Sequence, residues 1–513
     1  MTGPALATTA GELDELPSRP TSVGWGPFLL VALTGGLLWL AGRRDWGDGA
    51  ENAPYLGAAI VLLGCMPALV WKTGRARRAH VVGRVPFLPV VGVLYALYFG
   101  SPVLTDDAFG IPTLQYTGAS LTRALEIALV AWIALLGGWW LARSALGDVK
   151  PMQLPLDWER ARRALPYLLG IGTAAILAQR VLPLPGGLMQ PVRFLQMLFQ
   201  LGLGVMVLMH MRGDLDRTWR LILWLAIVPI YLFVQVGVGS VAQLAYAGIF
   251  VLFLLWGCGR RVPLVALAVG ASVILLMRGH VHTFRSQTWD QRGEQADAGV
   301  WQRSTLFLGL LVERFQDDVG TTVETAVDEV SARVAHLGTF AHVTHLTPSR
   351  VPYWGGDTYA ALPTTLIPRA LWPGKPSKET GQAFGHRYEL LAPSDRTTAV
   401  NMPIVIELYA NFGRWGCVLG MFALGALYQL LHRWWNTAGA GPGTLLIGCI
   451  LYSRLILIES DFTLVFGALI QTAVLLIVVL RWLGPPRERR ASAPARFWRT
   501  SNEQVSARWE AQR

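Results

Sequence analysis

"PYLGAAIVLLGCMPALVW" (Pro54–Trp71), followed at once by "KTGRARRAHVVGR" (Lys72–Arg84), is the passage on which the fold turns. The first stretch carries no charge. At 1.5 Å rise per residue it would reach about 27 Å as a helix, close to the thickness of a bilayer's hydrocarbon core. The second stretch holds Lys72, Arg75, Arg77, Arg78 and Arg84. An apolar helix stopped by a basic cluster reads as a membrane span ending on the cytoplasmic side.

The pattern recurs along all 513 residues. Apolar blocks near 25–41, 54–71, 85–103, 121–142, 164–182, 194–211, 220–237, 240–257, 262–278, 403–431, 443–458 and 462–483 predict about twelve spans. The chain is 53% hydrophobic and 15% charged, where a soluble globular protein carries about a quarter. The predicted fold class is therefore all-α, a polytopic transmembrane helix bundle.

Charge orients it. Arg143, Lys150, Arg160, Arg162 and Arg163 follow the fourth span, and Arg212, Arg217 and Arg220 the sixth. Arg260 and Arg261 follow the eighth, Arg433 the tenth, and Arg481, Arg487, Arg489 and Arg490 the twelfth. The connections "TDDAFGIPTLQYTGAS" and "VGVGS" have no Lys or Arg. Even-numbered spans are expected to end in the cytoplasm, with both termini there. The expected divisions are a flexible N-terminus (1–24), spans 1–9 (25–279), one large external loop (280–402), spans 10–12 (403–484) and a basic tail (485–513). No cleavable signal peptide precedes the first block, which is expected to stay as a helix.

Several classes drop out. The net charge of +11 reports topology before nucleic acid, so no nucleic-acid partner is expected. Cys65, Cys258, Cys417 and Cys449 all lie in apolar blocks, as small core residues and not as a disulfide framework. His336, His342 and His345 lack a neighbouring carboxylate or cysteine to complete a zinc set and read as surface or interfacial histidines. No metal or cofactor is expected.

The external loop holds the candidate chemistry. From Trp301 to about Leu337, Val319, Val323, Val327, Val330 and Val334 recur at near-helical spacing. From Thr347 on, Pro, Gly and aromatic residues predict irregular backbone. Arg278 and Arg285 open the loop, Arg369, Lys375 and Lys378 sit among prolines, and Arg454 lies near the outer end of span eleven. Fixed cations outside a membrane suit a lipid-linked diphosphate, since Arg forks match phosphate oxygens and can stabilise a departing one. Glu459 and Asp461 are the alternative partners of Arg454. Glu407 and His386, and more weakly Glu389, are candidate general bases for an acceptor hydroxyl; Glu407 could instead pair with Arg414. Trp354, Tyr353, Tyr359 and Trp372 could stack on sugar faces, or form an interfacial aromatic belt.

"IPRALWPGKP" (Ile367–Pro376), "ELYANFG" (Glu407–Gly413) and "HTFRS" (His282–Ser286) together resemble segments of the oligosaccharide repeat unit polymerases, the Wzy-type O-antigen polymerases. The resemblance covers roughly 280–415, and elsewhere only the architecture is similar. It implies transfer of a glycan from undecaprenyl diphosphate onto the non-reducing end of another lipid-linked repeat unit. It also implies work without nucleotide sugar, beside membrane lipid, with a chain-length regulator and a flippase as partners.

Other readings remain open here. An O-antigen ligase uses a similar bundle and outer-face arginines. A C-type transferase of polyprenyl-phosphate sugars would use an acid in the first outer loop, where Asp45, Asp48 and Glu51 lie; Asp214 and Asp216 fall on the cytoplasmic side and read as a turn. A flippase would spread charge through the midplane of paired halves, which this chain does not do.

Overall fold

The structure, a computed structural model, describes residues 49–77, 85–104, 114–146, 151–182, 186–227, 241–258, 335–365, 380–396, 398–436, 441–467 and 469–485, with isolated residues between 284 and 309 and at 367, 372 and 374. Every regular element among them is helical. Five helices are long and apolar enough to cross a membrane: Ala53–Trp71, Gly118–Ala145, Leu188–Arg212, Ile404–Trp435 and Phe462–Trp482. Shorter apolar helices cover Phe87–Val103, Tyr246–Gly257 and Pro442–Leu455. The chain thus has the build of a multi-pass membrane protein. The predicted spans at 25–41 and 262–278, Asp45 and Asp48, and the tail beyond Pro485 lie outside the described residues.

Local chemistry starts these helices where the apolar periodicity begins. Thr117 and Ser120 form a reciprocal capping box ahead of Gly118–Ala145. The Asp157 carboxylate accepts from Glu159 and Arg160 N–H at 3.1 and 3.2 Å, capping Trp158–Val181. The closest pairing joins Gly118–Ala145 to Ile404–Trp435. Gly138 lies against the Phe422 carbonyl and Gly425 against that of Leu135, so neither position has room for a Cβ.

Hydrogen bonds sort the helix ends onto two faces. On one, Asn436 exchanges bonds with Val85 N–H and C=O at 2.8 and 2.7 Å, and Met152 N–H reaches Trp434 O. Thr444 holds Leu154, Asp157 N–H meets Leu483 O, and Arg160 donates to Gly484 O. Arg143, Arg162, Arg163, Arg212, Arg217, Arg433 and Arg481 belong to the ends gathered here. Asp214 pairs with Arg212 at 2.6 Å and Asp216 with Arg162 at 3.9 Å, so these two acids are partners of the basic face. The opposite face carries Gly49, Gln115, Thr117 and everything described between 335 and 403.

Two expectations about the long loop are corrected. His336–Leu346 is a helix buried along nearly its whole length, and His336 and His342 are interior residues, not surface ones. The reason is the small and apolar company of "HLGTFAHVTHL", which packs on Gly118–Ala145. His342 is satisfied on both sides: Gln115 N–H donates to Nδ1 at 2.9 Å, and Nε2 lies 2.8 Å from Tyr388 O. His336 Nε2 faces Glu459 Oε2 at 3.7 Å. The backbone after Thr347 also holds three short helices, Asp357–Ala360, Leu362–Thr365 and Thr380–Arg387. The helix predicted for Trp301–Leu337 falls mostly outside the described residues.

Candidate functional site

The residues of "ELYANFG" tie the loop to the bundle. Glu407, in the first turn of Ile404–Trp435, is fully buried, and its Oε2 accepts the Phe462 N–H at 2.6 Å. That N–H opens the following apolar helix, where a carboxylate is favoured by the unsatisfied amides and the helix dipole. Tyr409 donates to Thr347 O at 3.3 Å. Ala410 O accepts Trp354 N–H at 3.0 Å, and Asn411 O accepts Gly355 N–H at 3.3 Å. The buried Asn411 side chain accepts from Gly356 N–H and donates to Thr358 Oγ1, both at 2.9 Å, and to Glu407 O at 2.8 Å. Gly413 then breaks the helix at φ 67°, ψ −155°, a conformation essentially reserved for glycine. The break frees the carbonyls of residues 410 and 411 for the loop.

Around this clasp stands an aromatic and cationic face. The Tyr359 ring lies parallel to Phe412 with centroids 6.0 Å apart, and meets Phe462 edge-on at 5.9 Å. Its faces are thus occupied, and Phe412 and Tyr353 are the rings that reach solvent, 49% and 42% exposed. The Tyr359 hydroxyl is buried and has no hydrogen-bond partner among the described residues. Burial, with the Glu407 carboxylate as the next cause, holds its pKa far above the usual phenol range. It therefore stays protonated, a donor with no acceptor of its own. The Arg387 guanidinium sits 4.5 Å over the Trp354 ring and donates to Pro352 O at 2.7 Å.

His386 precedes Arg387 on the Thr380–Arg387 helix and is half-buried. Its Nε2 lies 2.8 Å from Asp395 O. A carbonyl only accepts, so Nε2 carries the hydrogen and Nδ1 is left as the basic nitrogen. Glu407, Trp354 and Tyr359 are thus gathered in one cluster, which Arg387 joins. Arg454 lies at the same end of the bundle, exposed, 3.9 Å from Met197 Sδ. Of its two expected partners, Glu459 also faces His336, and Asp461 Oδ1 accepts Leu464 N–H at 3.0 Å. Arg414, the alternative partner of Glu407, is exposed beyond the Gly413 break. Trp372 is 39% exposed. Arg278, Arg285, Arg369, Lys375 and Lys378 lie outside the described residues.

Sequence reading missed Asn411, Phe412, Gly413 and Arg387 as individual contributors. The signal was present in "NFG": an amide that can cap and a glycine that can break, placed one turn after a carboxylate. Glu51, the described acid of the set with Asp45 and Asp48, accepts Gly49 N–H at 3.1 Å, and backbone N–H groups hold its carboxyl below the usual range.

Residues 172–482 match the family described as Domain of unknown function (DUF8712). No curated protein and no solved structure matches the chain.

Proposed function

We propose that this chain, which belongs to the DUF8712 family, polymerises lipid-linked oligosaccharide repeat units at the outer face of the cytoplasmic membrane. The observation that carries the reading is the clasp. The residues through which the chain resembles repeat-unit polymerases, Glu407 to Gly413, form one spatial unit with Trp354 and Tyr359 at the face opposite the arginine-rich one. In this reading the bundle has twelve spans, both termini are cytoplasmic, and residues 280–402 are external.

The reaction needs a base, a binding face and charge for a leaving group. His386 Nδ1 takes the proton of the acceptor hydroxyl, whose oxygen attacks the anomeric carbon of the donor sugar. The bond from that carbon to the diphosphate oxygen breaks, and undecaprenyl diphosphate leaves with the electron pair. Arg278, Arg285, Arg369, Lys375, Lys378 and Arg454 are assigned to the diphosphate, where forked and point cations offset the growing charge. Glu407 acts through Phe462, positioning the aromatic face. Tyr359, packed on Phe412 and Phe462, holds that aromatic face in place, and Trp354 and Trp372 present rings to the glycan.

Gel analysis of surface glycan in a strain lacking the chain tests this. Loss of the long-chain ladder with a single repeat unit retained is expected. Loss of all attached glycan would overturn the proposal in favour of a ligase or flippase. Reporter fusions should mark Gly356 as external, and Ala76 and Arg489 as internal; an internal Gly356 would also sink it.

A further inference from the structure

Arginines from three separate helices stand around one tyrosine. Tyr353 is 42% exposed, and its hydroxyl lies directly beside Gly413. Arg414 is the next residue of that helix and is exposed. Arg387, from the Thr380–Arg387 helix, donates to Pro352 O at 2.7 Å and lies 4.5 Å over the Trp354 ring, so it grips the residues on either side of Tyr353. Arg123 belongs to Gly118–Ala145, three residues after Ser120, whose carbonyl accepts from Thr344.

Two further tyrosines fix how close these groups are. Tyr409 donates to Thr347 O at 3.3 Å, and the Tyr388 hydroxyl lies 2.8 Å from Thr347 Oγ1, so both hydroxyls meet one residue. The Tyr353 and Tyr409 rings meet edge-on with centroids 6.4 Å apart. Arg123, Arg414 and Tyr353 all lie close enough for their charges to act on the Tyr409 hydroxyl, and Arg387 and Tyr353 act likewise on that of Tyr388. Tyr353 is thus the shared neighbour. Among the described residues, none of the three arginines forms an ion pair with a carboxylate, and the Tyr353 hydroxyl has no hydrogen-bond partner.

This face is opposite the arginine-rich one, so topology does not call for cations here. Guanidinium groups gathered without acids repel one another, and a bound anion removes that repulsion. Their forked N–H donors match a carboxylate or a phosphate. The exposed Tyr353 ring beside them favours an anion carried on a sugar, which can lay a C–H face on the ring while its charge meets the arginines.

We propose that Arg123, Arg387 and Arg414 hold, around the Tyr353 hydroxyl, the carboxylate of an acidic sugar in the glycan. The inference rests on the polymerase reading for its ligand class, and adds that the repeat unit is anionic.

The full chain in nanodiscs of phosphatidylcholine is tested by equilibrium dialysis against labelled trigalacturonate, its uncharged methyl ester, and inorganic diphosphate as competitor. Trigalacturonate should bind at least about tenfold more tightly than the ester, and less tightly as salt rises and screens the charges. Arg123→Gln and Arg414→Gln change exposed side chains that make no hydrogen bond to described residues, so each should weaken binding about three- to tenfold at unchanged melting temperature. Equal binding of acid and ester would overturn the proposal, as would unchanged binding in both variants or a wild-type chain that binds no trigalacturonate. Displacement of the trisaccharide by an equal or lower concentration of diphosphate would overturn it in favour of the lipid carrier's diphosphate. Trigalacturonate binding by a chain that fails to extend lipid-linked repeats would leave the site standing and retire the polymerase reading alone.

Discussion

Gly413→Ala separates a built break from a bent but ordinary helix. If residue 413 were helical, alanine would stabilise the chain by about 1 kcal/mol, because glycine is the poorer helix former. At φ 67°, ψ −155° the sign reverses. The backbone cost of a side chain there is of order 1–3 kcal/mol. The new Cβ would also stand 2.8 Å from the Tyr353 hydroxyl and 3.2 Å from its Cζ. Tyr353 is partly exposed and can yield, so this contact adds about 1 kcal/mol, for a total of roughly 2–4 kcal/mol. In a chain of this size that corresponds to a melting temperature lower by roughly 2–4 °C. A thiol-reactive fluorogenic dye reads the transition well, since Cys417 and Cys449 are fully buried and Cys417 lies one turn past the break. Tyr353→Phe removes the nearest clashing atom, so in that background the loss should shrink by about 1 kcal/mol, whereas Tyr353→Phe alone should be near neutral. A Gly413→Ala chain that melts higher than wild type would refute the break and the clasp built on it.

Asn411→Ala removes three hydrogen bonds and leaves Thr358, which is buried, without its amide; the same dye melt should show a loss of about 2–4 kcal/mol. Glu407→Gln keeps an acceptor for Phe462 N–H but loses the charge assistance, so it should cost about 1 kcal/mol and shorten the glycan ladder without abolishing it. His386→Ala should abolish the ladder at normal abundance, and the reverse ranking of those two variants would return the base to Glu407. Tyr359 and Tyr388 both have pKa values raised by burial, so the stability they carry is complete below about pH 10 and falls as pH climbs toward their folded values. The melting temperature should accordingly drop between about pH 10 and 11, and the drop should lessen in Tyr388→Phe.

The limits of the apolar stretches were legible because charge and hydropathy act locally: "KTGRARR" closes one after Trp71, although the helix itself runs on to Arg77. The His336–Leu346 helix was not. Its histidines and threonines are polar by composition, and the partners supplied by Gln115, Ser120 and Tyr388 hold His342 and Thr344 in the interior. The "ELYANFG" segment was legible as a site yet its division of labour was not. Whether a carboxylate at 407 is a base or an anchor depends on the amide of residue 462, which no local pattern reveals. Glu389 is the extreme case, since nothing in "HRYEL" announces a left-handed residue.

The same bonds explain how the segment between the helices holds its geometry. Loops at the membrane surface have water on one side and owe their geometry to whatever fastens them. Here the fastening uses backbone groups that a straight helix would have kept for itself, the carbonyls of Ala410 and Asn411, together with one buried carboxylate and one buried amide. Each bond ties residues 354–358 or 462 to the same helical turn, so Phe412, Tyr359 and Trp354 hold their places relative to the spans and not merely to one another. Under the proposed polymerase reading, a glycan carried on a lipid must be met at a fixed height above the membrane, and a clasp rooted in two apolar helices would set that height. The break at Gly413 is what makes the clasp possible.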